Sequence, residues 1–273
     1  MIKVKSGNNI DPFDVDSIRH QMAIQGKFMG LSESYSGKYP ELPEISTSLK
    51  WGKLLSEYEI IPEVRIQRLE RVVELLDLSK KVLDVGVGWG DIVPLILRKN
   101  PMADYTGIDF SNEVIDNLKK KYPSQKFHAT TLDKMDGTYD YILVLEVLEH
   151  IIPSKVASFY DDIKSRLRND GLLVFTVPLY EDLKLQTLIC GKCGSLVNRM
   201  GHVRTYTPTL IKAELNLFGF TVEQLEFVYE GYYGVLGTIR RHLRDLAGRI
   251  LGPSNYQKLK PTNAILTCRE GKQ

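Results

Sequence analysis

The 273-residue chain is poor in cysteine, in net charge and in long apolar runs, and each shortage excludes something. Three cysteines do not make a disulfide framework, so a reducing, cytoplasmic setting is expected. The 36 basic and 34 acidic residues nearly cancel, so no global field calls for a nucleic-acid or membrane partner. No apolar stretch approaches the roughly 18 residues that would span a bilayer. The opening Met1-Ile2-Lys3-Val4-Lys5-Ser6-Gly7 also lacks the apolar core of a signal peptide. Internal repeats and low-complexity tracts are absent from the sequence. This length supports one large core, or one core plus a small accessory region.

What the chain does have is Asp84-Val85-Gly86-Val87-Gly88-Trp89-Gly90, directly behind the apolar Lys81-Val82-Leu83. Three alternate glycines let the backbone leave a strand sharply and approach a ligand where a side chain would collide. A helix over 91–98 would then point free N–H groups back at that ligand. The spacing departs from the G-x-G-x-x-G of dinucleotide sites, because the third glycine comes one residue early and Asp91 would repel a phosphate. Asp84 suits a ligand that carries an ammonium group instead. A tight turn without a ligand is the bland alternative, although a turn alone seldom needs three alternate glycines.

A second landmark is Tyr105-Thr106-Gly107-Ile108-Asp109-Phe110, which reads as a buried strand ending in an acid 19 residues after Gly90. An acid at that strand end can accept from both ribose hydroxyls of a nucleoside, or it can cap the next helix. Ser111 offers itself as the cap for a helix over 112–121, with Glu113 and Asp116 early and Lys119, Lys120 and Lys121 late. Strands are expected at 81–85, 104–109, 125–129, 139–145 and 171–177, with helices starting near Ile61-Pro62 and at 112–121, 154–168 and 208–217. Asn169-Asp170-Gly171 marks a turn, and Phe220–Tyr229 with Asn263–Cys268 reads as a closing strand pair. Such alternation argues for a mostly parallel α/β sheet with helices on both faces. Residues 1–60 carry no sustained period and read as a lid or accessory region before a domain at 61–273.

These motifs resemble the class I S-adenosylmethionine (SAM) methyltransferases, whose glycine loop runs D/E-x-G-x-G-x-G, over about residues 64–269. The segments Tyr139–His150, Leu167-Arg168-Asn169-Asp170-Gly171 and Gly201–Pro208 resemble the small-molecule branch that includes the ubiquinone-biosynthesis enzymes. The resemblance implies a doubly wound, Rossmann-like sheet of seven strands with the last one antiparallel. It also implies SAM as cofactor, held through Asp84, Gly86, Gly88, Gly90, Asp109, Phe110, the segment Thr131-Leu132-Asp133 and Glu146. Either Thr131 or Asp133 would reach the adenine amine.

Methyl transfer from a sulfonium needs alignment and sometimes a proton acceptor. Glu146, Glu149 and His150 follow the fourth strand, at the edge where open α/β sheets bind ligands. If that segment turns helical, Glu146 and Glu149 share a face. With His202 from a later loop they form a candidate divalent-metal set, Mg²⁺ or a relative, that would lower the pKa of a substrate hydroxyl. The E-x-x-E-H pattern resembles the metal-dependent O-methyltransferases of ubiquinone synthesis and those that methylate the terminal 2′-hydroxyl of small RNAs. The alternative places Glu146 against the cofactor, with Glu149 exposed and His150 capping or packing.

Cys190-Gly191-Lys192-Cys193-Gly194 has the shape of a zinc knuckle, with His202 as a third ligand and Asn198 where a fourth would fall in some relatives. A redox pair and two incidental cysteines are the other readings. His202 cannot serve both metal sites. Between the last strands, in a helical insertion at 230–260, an apolar stripe over 235–251 runs beside Arg240, Arg241, Arg244 and Arg249. Such a helix suits an anionic membrane surface, an acidic substrate, or plain packing. The expected activity is methylation of a small molecule at a hydroxyl oxygen. An RNA 2′-O-methyltransferase and a non-catalytic SAM-binding module are the alternatives, and near-neutral charge without an appended RNA-binding motif stands against the first. The acceptor pocket would be built from 1–60 and 179–206.

Overall fold

The computed structural model describes residues 63–185, 187–189, 196–198, 200–228 and 261–271. The lid expected at 1–60, Cys190, Cys193 and the insertion with its stripe at 235–251 all lie outside the described residues. The order of elements is α1 (Glu63–Glu74), β1 (Val82–Val85), α2 (Val93–Lys99), β2 (Tyr105–Asp109), α3 (Asn112–Lys121) and β3 (Lys126–Ala129). There follow β4 (Tyr139–Leu145), α4 (Val156–Arg166), β5 (Leu167–Pro178), a short hairpin β6 (Thr187–Ile189) and β7 (Leu196–Asn198), α5 (Pro208–Leu217), β8 (Phe220–Val228) and β9 (Asn263–Glu270).

Seven strands form one sheet in the order β3-β2-β1-β4-β5-β9-β8. Strands β1 to β5 run parallel, and β9 lies antiparallel between β5 and β8. The chain's last strand is therefore the antiparallel one, as expected, although β8 takes the edge. Side chains alternate across the sheet with period two. Val82, Leu143, Leu172 and Val174 face a layer built on α1, α2 and α3, whose Leu69, Val72, Ile96, Ile115 and Leu118 are buried there. Leu83, Ile142, Leu173 and Phe175 face Tyr160 and Ile163 of α4 and Ile211 and Leu215 of α5. Both faces are covered, which is why the central strands read as near-continuous apolar runs. Among the described residues no helix is long and apolar enough to cross a membrane.

Two local expectations are corrected. The first concerns the turn at Asn169-Asp170-Gly171, which becomes a bulge inside β5. Leu167 pairs with Tyr139 while Leu172 pairs with Tyr141. A Cβ on Gly171 would lie 2.7 Å from Leu167 Cδ1 and 2.8 Å from the Arg168 carbonyl, so only glycine closes this bulge. The second concerns the glycine-loop helix, which starts at Val93 rather than Asp91: the first i,i+4 bond runs from the Ile96 N–H to the Ile92 carbonyl (3.0 Å), while the Val93 N–H closes a tighter turn onto the Gly90 carbonyl (2.9 Å). Asp91 instead pairs with Arg65 of α1 at 2.7 Å.

Strand order reverses at β1, which lies between β2 and β4. In open α/β sheets that reversal opens a crevice at the carboxyl ends of the strands, where ligands bind. The segments after β1, β2, β4 and β5 all arrive at that edge.

Candidate functional site

At the end of β1 the chain turns back on itself, and the N–H groups of Gly86 and Val87 both donate to the Ile108 carbonyl, at 2.8 and 2.9 Å. Gly86, Gly88 and Gly90 all take left-handed backbone angles, with φ of 74°, 51° and 69°. Their surroundings differ. A Cβ on Gly86 would lie 2.7 Å from Val147 Cγ2, and one on Gly90 would lie 2.6 Å from Leu118 Cδ2. One on Gly88 would meet nothing nearer than the Gly86 carbonyl at 3.9 Å. Gly86 and Gly90 are therefore required by packing, whereas Gly88 borders open space.

Asp109 joins this loop to the end of β2. Its Oδ2 accepts from the Gly88 N–H at 3.2 Å, and its Oδ1 from the Ser111 N–H at 2.9 Å. Ser111 caps α3, its hydroxyl accepting from the Val114 N–H, so Asp109 is not the cap. Each carboxylate oxygen keeps a further lone pair for a ligand. Burial raises Asp109 above the usual carboxylate range. Phe110, next in the chain, is 65% exposed despite its size. Beyond β3, Thr131 and Asp133 are exposed and Leu132 is buried in a single 3₁₀ turn, Leu132–Lys134. The Thr131 hydroxyl donates to Asp133 and holds that carboxyl below its usual range.

Asp84 lies deeper than the spacing suggests. It is 2% exposed and accepts from the Tyr105 hydroxyl at 2.6 Å. Burial pushes its carboxyl up to about 7, with the Tyr105 hydrogen bond opposing and Asp109 reinforcing the rise.

After β4 the chain does not turn α-helical. Glu146 sits at φ 56°, a left-handed conformation rare for a non-glycine residue, and a 3₁₀ turn follows at Leu148–His150. The shared helical face expected of Glu146 and Glu149 is therefore absent. Glu146 Oε2 accepts from Asn263 Nδ2 at 2.9 Å and faces Arg68 Nη1 at 3.3 Å. Its Oε1 is buried without a hydrogen-bond partner among the described residues. Observed backbone strain of this kind concentrates at functional sites.

Glu149 is fully buried, and neither carboxylate oxygen has a hydrogen-bond partner among the described residues. Burial, and after it the nearby Glu146 carboxylate, push it well above the usual range. His202 approaches Glu149, with Nε2 4.0 Å from Oε1, and the His150 and His202 rings meet edge to face at 4.8 Å. His150 Nδ1 is 3.1 Å from the Gly201 carbonyl, which can only accept, so Nδ1 carries the proton and Nε2 is left with its lone pair. Burial, and the adjoining His202 imidazole, lower His150 below the usual imidazole range. One donor atom from each of Glu149, His150 and His202 lies within 4.8 Å of the others. Three of the four residues expected to hold a divalent metal are thus gathered, and Glu146 is held aside by Arg68 and Asn263. An orphaned buried carboxylate beside two imidazoles whose far nitrogens are already engaged is a donor set that fits a divalent transition metal.

Behind this corner Asn198 and residues 200–206 are locked in place. Asn198, expected near a zinc ligand position, instead accepts from the N–H groups of Met200 (2.8 Å) and His202 (3.3 Å). The N–H groups of Val203 and Arg204 both donate to the Glu149 carbonyl. The buried Arg204 guanidinium pairs with Glu214 of α5, which also accepts from the Tyr160 and Tyr206 hydroxyls. The sequence therefore named His202 correctly as a neighbour of Glu149 and His150, while the knuckle cysteines lie outside the described residues.

Three participants were missed. Arg68 sits four residues before Val72 on the apolar stripe of α1, a charge at a core position that could have been noticed. Asn263 opens β9. Glu181 lies three residues past the end of β5 and places Oε2 2.5 Å from His202 Nδ1.

A methyltransferase-domain family model matches residues 58–225. A sphingolipid C9-methyltransferase of Candida albicans is 28% identical over 134 residues, covering 44% of this chain and 26% of its own length. A ubiquinone biosynthesis O-methyltransferase of Vibrio parahaemolyticus is 28% identical over 113 residues, covering 37% and 47%. The chain thus spans between about a quarter and half of these curated relatives. Among solved structures, the 1,6-didemethyltoxoflavin-N1-methyltransferase of Burkholderia thailandensis, with S-adenosylhomocysteine bound, superposes with a TM-score of 0.51 at 15% identity, covering 99% of this chain and 94% of that one. That likeness shows the fold. The family match extends over well more than half the chain and includes the glycine loop, Asp109 and the Glu149–His150 corner, so this chain belongs to the methyltransferase-domain family.

Proposed function

We propose that the chain is a SAM-dependent methyltransferase acting on a hydroxyl oxygen of a small molecule, with a divalent metal held by Glu149, His150 and His202. The single observation that carries the acceptor assignment is the Glu149–His150–His202 corner, where a buried carboxylate with no hydrogen-bond partner among the described residues meets two imidazoles at the carboxyl edge of the sheet. SAM supplies the methyl group on its sulfonium, and the metal supplies Lewis acidity that favours the ionised form of a coordinated hydroxyl.

The chain's own residues supply position and proton handling. The loop Gly86–Gly90 and Asp109 form the cofactor cradle, with Gly88 open where backbone must approach a ligand. Phe110 offers an exposed aromatic face beside that cradle, suited to a purine ring. Glu146, strained and with Oε1 unpartnered among the described residues, supplies an acceptor between cradle and metal corner. The His150 pKa is lowered by burial and by the adjoining His202 imidazole, which favours the neutral ring whose Nε2 lone pair a metal requires. The named relatives are C-, O- and N1-methyltransferases, so family membership alone leaves the acceptor atom open. The donor set of this corner is what favours oxygen.

The test is a labelled-SAM transfer assay with catechols, phenols, amines and total RNA as acceptors, run with and without a chelator. Methylation of hydroxyl compounds that stops on chelation and returns with Mn²⁺ or Mg²⁺ is expected, with loss of turnover in Glu149→Gln. Transfer to amines or carbon that is indifferent to chelation refutes the acceptor assignment. Label in RNA alone refutes the small-molecule assignment, and SAM binding without transfer to any acceptor refutes catalysis.

A further inference from the structure

The chain leaves β5 by an unusual path. Leu179 forms an isolated parallel bridge with Tyr206, and its N–H donates to the Thr262 carbonyl at 2.7 Å. Tyr180 then takes φ 58°, a strained left-handed conformation for an aromatic residue, while its N–H donates to the Tyr206 carbonyl at 2.8 Å. The Thr205 hydroxyl donates to the Glu181 carbonyl at 3.0 Å. Glu181 is therefore pinned by backbone on the segment that carries His202, and the left-handed step at Tyr180 re-aims the chain immediately before it. Its carboxylate faces His202 Nδ1 at 2.5 Å, with the His202 side chain 10% exposed and that of Glu181 22% exposed.

A carboxylate can only accept, so this contact places a proton on His202 Nδ1, and in the neutral ring Nε2 is the bare nitrogen. That bare nitrogen is the one directed at Glu149. The Gly201 carbonyl does the same for His150. We infer that Glu181 is the positioning residue of this site, fixing the tautomer and orientation in which His202 presents Nε2 to the Glu149–His150 corner. The inference rests on the metal reading above for what Nε2 is presented to. An acidic partner behind a ligating imidazole orients the ring and strengthens its donor nitrogen.

The full chain labelled with ¹⁵N-histidine tests the tautomer directly, since it holds 5 histidines to assign. Long-range proton–nitrogen correlations should show His202 protonated at Nδ1 in the wild type. In Glu181→Ala the proton should redistribute towards Nε2 while His150 stays unchanged. In Glu181→Gln the amide oxygen still accepts, so the wild-type tautomer should persist. A Co²⁺ titration followed by visible absorption should show affinity about 10–100-fold weaker in Glu181→Ala, with most of it recovered in Glu181→Gln. An unchanged His202 tautomer in Glu181→Ala, or Co²⁺ affinity equal to wild type, overturns the assignment. Wild-type protein that takes up no Co²⁺ overturns the metal reading instead. The tautomer comparison then still decides Glu181 by itself: a shift supports its positioning role and no shift ends it.

Discussion

Replacing each loop glycine by alanine separates ligand space from packing, because the three sites share a backbone conformation but not a neighbourhood. A left-handed conformation costs an L residue about 1–2 kcal/mol, and all three positions carry it. At Gly88 that is the whole cost, since the added methyl meets nothing nearer than 3.9 Å. At Gly90 the methyl would also press on Leu118 Cδ2 at 2.6 Å and Val93 Cγ2 at 3.2 Å. Overpacking of that kind adds about 1–3 kcal/mol. With a domain of this size losing about 2–4 °C of Tm per kcal/mol, Gly88→Ala should melt only a few degrees low, and Gly90→Ala should fall well below it. Binding should order the other way. Calorimetry with S-adenosylhomocysteine should show Gly88→Ala weakened tenfold or more, and Gly88→Val, with a larger side chain in the same gap, without measurable binding. Wild-type affinity in a folded Gly88→Val protein would refute the cradle. Equal Tm losses at Gly88 and Gly90 would refute the packing distinction that supports it.

Two further outcomes are expected. Asp84 is raised from 3.8 to about 7, so its contribution to apo stability is full below about pH 4 and is lost as pH rises through 7. At about 1.4 kcal/mol per pH unit this amounts to roughly 4 kcal/mol. Melting curves from pH 5 to 8 should therefore fall more steeply for the wild type than for Asp84→Asn, and identical pH slopes would refute the buried-acid account. Glu214→Ala should strand the Arg204 guanidinium, itself 4% exposed, beside two tyrosine hydroxyls. Breaking a buried pair from one side costs about 3–5 kcal/mol, and a Tm within 2 °C of wild type would show that the pair carries no such weight.

Much of the cradle was readable from residues alone because its causes are local. Left-handed turns select glycine wherever they occur, and a strand periodicity ending in Asp109 announces where an acid stands at a sheet edge. The two-sided burial of β1, β4 and β5 follows from their continuous apolar character. Ser111 also announced itself as a cap, and the structure resolves the Asp109 ambiguity by giving that role to Ser111.

Other features had no local cause to read. Nothing in Leu145-Glu146-Val147 announces a left-handed glutamate, and the partners its carboxylate meets in that conformation, Asn263 and Arg68, come from a strand and a helix far along the chain. The helical reading of E-x-x-E-H failed for the same reason. The gathering of Glu149, His150 and His202, and the Glu181 carboxylate behind His202, depend on Leu179–Glu181 and residues 200–206 meeting beside the ends of β4 and β5. Periodicity and glycine chemistry act over a few residues, so the amino-acid sequence by itself determined the order of the apolar strand runs along the chain and the glycine cradle. Which charged side chains meet at the sheet edge was decided only by tertiary packing, because a buried carboxylate takes its partners from whatever the completed fold brings within reach.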